Sequence, residues 1–275
     1  MFYLKTVFYS SIFALLGTQL FALSVEAGVQ PQEIPKFSEV TPEPPNSGTP
    51  TNSLPGGTYV RFEPPAGAVP TPDTRRDPGI CPVLQEDVSP SLSPGGEMKG
   101  PPITALLPQQ NFGLTYAEYP TFFIYIPAGG LGGQLILQDE AGNDVQEIDV
   151  NLKQKAGVIG VNLSKSRPGL EIGKNYRWFF VLVCTPEKRE NDRIVTGWVK
   201  RTTIDSDLKT KLDKANPLEK ADLYAKNGIW FEALSTLAKI RLDNPKNDEF
   251  IKQWKEFLKS GGLQNIAAMP LIAPR

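Results

Sequence analysis

The chain has 275 residues, with 29 Lys+Arg against 30 Asp+Glu and no histidine. The absence of histidine removes Ser-His-Asp and Cys-His catalysis, imidazole metal ligation and the commonest general base. Near-neutral charge, without a long block of either sign, argues against a nucleic-acid footprint, which needs a basic stripe to displace phosphate counterions. The length allows one large or two modest domains, and 26 prolines with 24 glycines make irregular segments frequent.

Residues 1–27 read as a secretory signal peptide. Lys5 opens the segment, an apolar run extends from Val7 to Leu23, and Val25 and Ala27 supply the small or branched residues of a cleavage site. Ser10, Ser11, Gly17, Thr18 and Gln19 interrupt the run, which falls short of the roughly 20 apolar residues of a comfortable membrane span. An uncleaved anchor is therefore the lesser reading. Cleavage after Ala27 predicts a secreted or periplasmic chain of the cell envelope, with no later stretch able to cross a bilayer. In such a compartment Cys81 and Cys184 favour a structural disulfide over two unpaired buried thiols.

From Gly28 to Pro102 the chain is a Pro/Gly-rich linker or irregular wrap that holds about two-thirds of the prolines. Two pieces stand out within it. Tyr59-Val60-Arg61-Phe62 reads as a short edge strand. Arg75 and Arg76 read as solvated loop charge, with a surface anion contact as the functional alternative.

Between Ile103 and Ile204 the pattern changes to short runs of period two broken by turn residues, the signature of an antiparallel all-β domain. Strands are predicted at 103–107, 121–126, 134–139, 144–151, 157–163, 175–184 and 193–202, which suits an immunoglobulin-like sandwich. Asp139 to Asp144 reads as a tight hairpin rather than a calcium loop, because its spacing does not match a calcium-binding pattern. The Gly-rich stretch from Ala128 to Gly133 reads as a strand connection, because it lacks the Lys-Ser/Thr of a phosphate loop. Leu170, Gly173, Tyr176 and Trp178 resemble the tyrosine corner of fibronectin type III sandwiches, in which the Tyr hydroxyl bonds back to the chain. Tyr176, Trp178, Phe180, Leu182 and Cys184 then share the core face of one strand. An aromatic ligand platform on the opposite face, using Phe179 or Trp198, is the minority reading.

After Thr203 the period becomes helical, and residues 205–275 are predicted to be a small all-α tail. Asp205 caps a helix over 206–215, and Asn216, Pro217 and Glu219 open another over 217–227. Gly228 breaks the chain, a helix over 229–242 stops before Pro245, and a last helix begins at Asn247 or Asp248 and ends at Gly261-Gly262. Ala221, Tyr224, Gly228, Trp230, Glu232, Ala233 and Leu237 resemble a single tetratricopeptide repeat, of which one copy cannot bury its own apolar faces. It must pack on neighbouring helices, on the sandwich or on a partner, and Glu232 belongs to that packing pattern.

A broader resemblance covers most of residues 59–271. It is carried by Arg61-Phe62-Glu63-Pro64-Pro65, the stretches 104–108 and 113–122, Asp139 to Asn143, Gly173 to Trp178, Val183-Cys184, Gly197-Trp198-Val199 and Gly228 to Leu234. In these segments the chain resembles the cyanobacterial exported proteins grouped as domain of unknown function 928. That resemblance implies no activity. Its Gly/Arg-rich piece is reduced here to Arg75-Arg76, which weakens any role built on it.

The reading that follows is a non-enzymatic exported protein without catalytic, cofactor or metal residues. A β-sandwich carries a helical segment, and residues 205–260 contact another exported or envelope protein. The alternative is a carbohydrate- or envelope-polymer-binding sandwich using Trp198. A glycosidase built on paired carboxylates is the least favoured reading.

Overall fold

The computed structural model describes residues 58–65, 73–79, 81, 100–152 and 155–272. The signal peptide and most of the proline-rich wrap lie outside the described residues. Nine strands and four α-helices follow in chain order among the described residues: β1 Arg76–Asp77, β2 Ile103–Ala105, β3 Phe112–Thr115, β4 Thr121–Ile126, β5 Gly132–Gln138, β6 Asp144–Asn151, β7 Gly157–Asn162, β8 Asn175–Val183, β9 Arg193–Arg201, α1 Ser206–Lys214, α2 Pro217–Lys226, α3 Trp230–Asp243 and α4 Asp248–Ser260.

The strands form a four-stranded sheet of order β1-β2-β4-β7 and a five-stranded sheet of order β3-β9-β8-β5-β6. All pairings are antiparallel except that of β3 with β9. The inner faces meet where Phe122 of β4 lies against Trp178 of β8, with ring centroids 5.0 Å apart. On β8 the period of two puts Tyr176, Trp178, Phe180 and Leu182 into the core and leaves Arg177 and Phe179 half-buried on the opposite face.

All seven predicted strands are present, two of them with the predicted bounds and the rest changed by a residue or two at their ends. Two further strands carry too little periodicity to be read. β1 is two residues long, and β3 is four residues with a glycine in second place. Gly113 is required there, because a Cβ would lie 2.6 Å from the Phe231 ring of α3. The expected edge strand at 59–62 is not formed. Its backbone donors go instead to the helices: Val60 N–H to Gln253 Oε1 at 2.8 Å, Phe62 N–H to Ser260 Oγ at 2.8 Å and Glu63 N–H to the Ala225 carbonyl at 3.1 Å. Residues 58–65 are thus a strap held by two helix side chains and a helix carbonyl, with no strand beside it among the described residues.

The helices begin where their caps dictate. The Asp205 side chain accepts from Leu208 N–H at 2.7 Å, Asn216 and Glu219 form a reciprocal capping box, and the Asn247 side chain accepts from Glu249 and Phe250. The tail is not helical throughout. After Gly262 the chain turns, and Val158 of β7 exchanges hydrogen bonds with Pro270 and Ile272 at 2.7 and 2.8 Å. The C-terminal segment therefore occupies the free side of β7.

The buried core runs without a break from both sheets into the helices. Its centre is Trp230, fully buried, with its indole N–H donating to the Leu106 carbonyl at 2.8 Å. Trp230→Ala should therefore lower the unfolding free energy by about 3–5 kcal/mol, read from urea denaturation. A chain ending at residue 204 should lose its cooperative transition altogether, because it would leave Leu106, Gly113 and Phe122 facing water.

Candidate functional site

Part of the residue set that sequence reasoning selected gathers at the junction between the helices and the sheets. Ala221 and Ala233 are buried where α2 and α3 cross, and Gly228 takes a φ of +70° between the two helices, a conformation that favours glycine. A Cβ on Gly228 would also lie 2.7 Å from Cγ of Pro65, so the strap crosses directly over this turn. Trp230 stacks on Phe257 of α4 with centroids 4.7 Å apart and meets Phe62 of the strap edge-on at 4.8 Å.

Beside this anchor, Glu232 reaches out of α3 to the end of β3. Its Oε1 accepts from Thr115 Oγ1 at 2.6 Å, Ala117 N–H at 3.0 Å and Tyr116 N–H at 3.2 Å, while Oε2 is buried without a partner. Burial pushes the Glu232 carboxyl above its ordinary value, against the pull of those three donors. Tyr224 of α2 stacks on Tyr116 at 5.7 Å, and the two hydroxyls lie 3.1 Å apart. Burial, then the Tyr116 hydroxyl, raises the Tyr224 phenol. This arrangement gives Glu232 a larger part than packing alone: it closes the backbone donors that β3 leaves open where the strand ends. Sequence placed the residue on the right helix face, but the partner loop 115–117 carries no signal that names it.

At the same end of the five-stranded sheet, where Arg201 bonds the carbonyls of Tyr116 and Leu170, Tyr176 Oη accepts from Glu171 N–H at 3.0 Å, with Leu170 buried and Gly173 at φ +83°. The corner geometry expected of these residues is therefore present. Trp178 is buried in the core. Cys81 and Cys184 form a disulfide with Cα atoms 5.0 Å apart, tying residue 81 to the end of β8. Gly133, expected in the connection between β4 and β5, lies instead within β5 and leaves room for the Phe180 ring, so packing accounts for a glycine that sequence could ascribe only to a turn.

Arg75 and Arg76 are not solvated loop charges. Arg75 is 3% exposed, and its guanidinium bonds Asp73 at 2.8 Å, the Leu107 carbonyl at 2.8 Å and the Gly261 carbonyl at 3.2 Å. Arg76 bonds Asp73 at 2.9 Å and the Gly262 carbonyl at 3.0 Å. Both arginines serve the unpaired carbonyls at the C-terminus of α4, where positive charge is favoured. The Arg75 guanidinium in turn holds the Asp73 carboxyl below its ordinary value.

Trp198 is not an exposed platform either. It is 8% exposed, packed in the row of the five-stranded sheet that includes Phe112 and Arg177. The face of Phe179 is covered by the Arg177 guanidinium, 4.5 Å from the ring centroid and 5.9 Å from that of Trp198. Sequence reasoning passed over Arg177, although its place two residues before Phe179 and one before Trp178 puts it on the outer face of β8.

The described residues contain no cluster of His, Cys, Asp and Glu able to hold a metal ion, and no helix long and apolar enough to cross a membrane. Asp205 is a helix cap. Asp139 accepts from the Asn143 side-chain amide and from the backbone amides of Asn143 and Ala141 inside the β5–β6 hairpin, which holds its carboxyl low.

Two sheets sharing one core with four C-terminal helices, joined through buried polar groups, define a β-plus-α protein. Residues 92–271 match the family described as Domain of Unknown Function (DUF928), and the chain belongs to that family. No curated protein matches the chain.

The raised Glu232 carboxyl has a testable sign. A folded-state value above the ordinary 4.5 means that the folded state holds its proton longer than the unfolded one. The contribution to stability is then largest below that value, falls as pH rises through it, and levels off above the folded-state value. Urea midpoints measured between about pH 4 and pH 8 should show this decline, and Glu232→Gln should flatten it while keeping an acceptor for Thr115 and Ala117.

Proposed function

We propose that the chain is an exported, non-enzymatic protein-interaction or structural module of a cyanobacterial cell envelope. In this reading an immunoglobulin-like sandwich carries one tetratricopeptide-like helical hairpin and presents it to another exported protein. The observation that carries the reading is the buried Cys81–Cys184 disulfide, because such bridges persist in oxidising compartments and are rare where thiols are kept reduced. The tyrosine-corner geometry at Tyr176 supports the sandwich assignment. The Gly228 turn, with Ala221 and Ala233 buried at the crossing, supports the repeat.

In this arrangement α3 and α4 are committed to the core, whereas α1 keeps Lys209 and Lys211 in solvent. The partner surface therefore falls on α1 and the outer side of α2. The carbohydrate-binding alternative relies on Trp198, and a ring that is 8% exposed gives it no support.

Mass analysis of the protein from the exported fraction should find a chain beginning at Gly28 with no alkylatable thiol. A chain retaining residue 1 with two free thiols would overturn the exported reading. A photo-cross-linker at Lys211 should capture one protein that a cross-linker at Glu147, on the five-stranded sheet, does not. Equal capture at both positions, or none at Lys211, would overturn the helical partner surface.

A further inference from the structure

The outer face of the five-stranded sheet carries its charge asymmetrically. In register, one row runs Trp198, Arg177, Gln138, Asp144 across β9, β8, β5 and β6, and the next runs Thr196, Phe179, Ile136, Glu147. Asp149 follows one row further along β6. Asp144, Glu147 and Asp149 are exposed, so the β6 edge is acidic. The β8–β9 half is cationic, with Arg177 and Lys200 on the same face, since Lys200 lies two residues beyond Trp198. Among the described residues neither cation has a carboxylate within salt-bridge distance. The Nε of Arg177 is buried without a hydrogen-bond partner. Between the two halves, half-buried Phe179 and Ile136 are neighbours across β8 and β5, and Ile194 is 47% exposed at the end of β9.

We infer that this face is the interface of a two-fold homodimer. A symmetry axis lying in the interface, parallel to the strands and between β5 and β8, places β9 of one copy over β6 of the other and β8 over β5. Rows are preserved by that operation. Arg177 then lies over the partner's Gln138, with the partner's Asp144 on the next strand of the same row, and Phe179 lies over the partner's Ile136. The same contact is made twice, as an isologous interface requires. A second copy fits better than an unrelated partner because the face supplies its own complement: cations on one half, acids on the other, an apolar strip at the axis. Burial of an uncompensated guanidinium, which lowers the affinity of Arg177 for its proton, is relieved by the partner's carboxylate.

The dimer is a weak one. Four strands about 4.8 Å apart and seven residues of about 3.4 Å each give a face of roughly 450 Å², about half the roughly 800 Å² per partner of a standard interface. This inference does not depend on the helical partner surface, which lies on other elements.

Sedimentation equilibrium of the full chain up to about 1 mM, the weak end of the affinity scale, should show a monomer–dimer equilibrium that weakens as salt is raised. Arg177→Glu and Asp144→Arg should each weaken association at least about tenfold, and the two together should restore it to within about threefold. Unchanged melting temperatures will confirm that each variant is folded; if Arg177→Glu is not, Arg177→Gln replaces it, with a weaker loss expected. A monomer over the whole range, a dimer indifferent to the single variants, or a pair of losses that the double variant does not repair would overturn the inference. In the first case the face serves a different partner or none.

Discussion

Everything in this structure depends on the indole of Trp230 being dry and bonded at the same time. A buried tryptophan brings a large apolar surface and one N–H that must be satisfied, and here the acceptor is the Leu106 carbonyl just past the end of β2. That single bond fixes where α3 lies against the sheets. Phe62, Phe257 and Gly261 then close around the ring; a Cβ on Gly261 would lie 2.5 Å from it, so the C-terminus of α4 can approach only as glycine. Strap, sheet and two helices are thus ordered by one side chain.

Around that apolar centre, polar side chains take up the backbone groups that irregular segments leave open. Glu232 receives the amides of residues 116 and 117, Gln253 receives Val60 N–H and donates to the Thr58 carbonyl, and Arg75 donates to the carbonyls of Leu107 and Gly261. Each bridges two segments distant in sequence, and each answers the same requirement, that buried backbone donors and acceptors be paired. Arg75 and Gln253 are themselves buried, so the stability they confer comes with a desolvation cost that only complete bonding offsets. Removal of any one would leave its partners unsatisfied as well as its own space empty.

This explains which parts were legible in the sequence. Strands with clean alternation, such as 175–183, and helices with strong caps, such as the Asn216–Glu219 box, are specified by residues close together in the chain. The Tyr176 corner was legible for the same reason, since its partner is Glu171. The strap was misread as a strand because Val60 and Phe62 alternate as strand residues do, whereas their partners Gln253 and Ser260 lie nearly 200 positions away, at separations of 193 and 198 residues. Arg75 was misjudged as a surface group for a related reason. Arginine is mostly exposed unless paired, and nothing local announces the carbonyls at the end of α4.

The edges of the two sheets differ in a way that bears on how the molecule can associate. β7 is covered by the segment returning through Pro270 to Ile272, and the β9 end beyond β3 is covered by residues 74–77, whose Thr74 carbonyl receives Thr196 N–H at 3.1 Å. β6 keeps its outer edge without a strand partner among the described residues. A free edge of eight residues is a template for pairing with another chain. Asp144, Glu147 and Asp149 oppose that outcome, because a second β6 laid alongside would bring like charges together. The same acids attract the Arg177 and Lys200 half of a second face. One set of carboxylates therefore works against edge-to-edge growth, which is open-ended, and in favour of face-to-face contact, which closes after two copies.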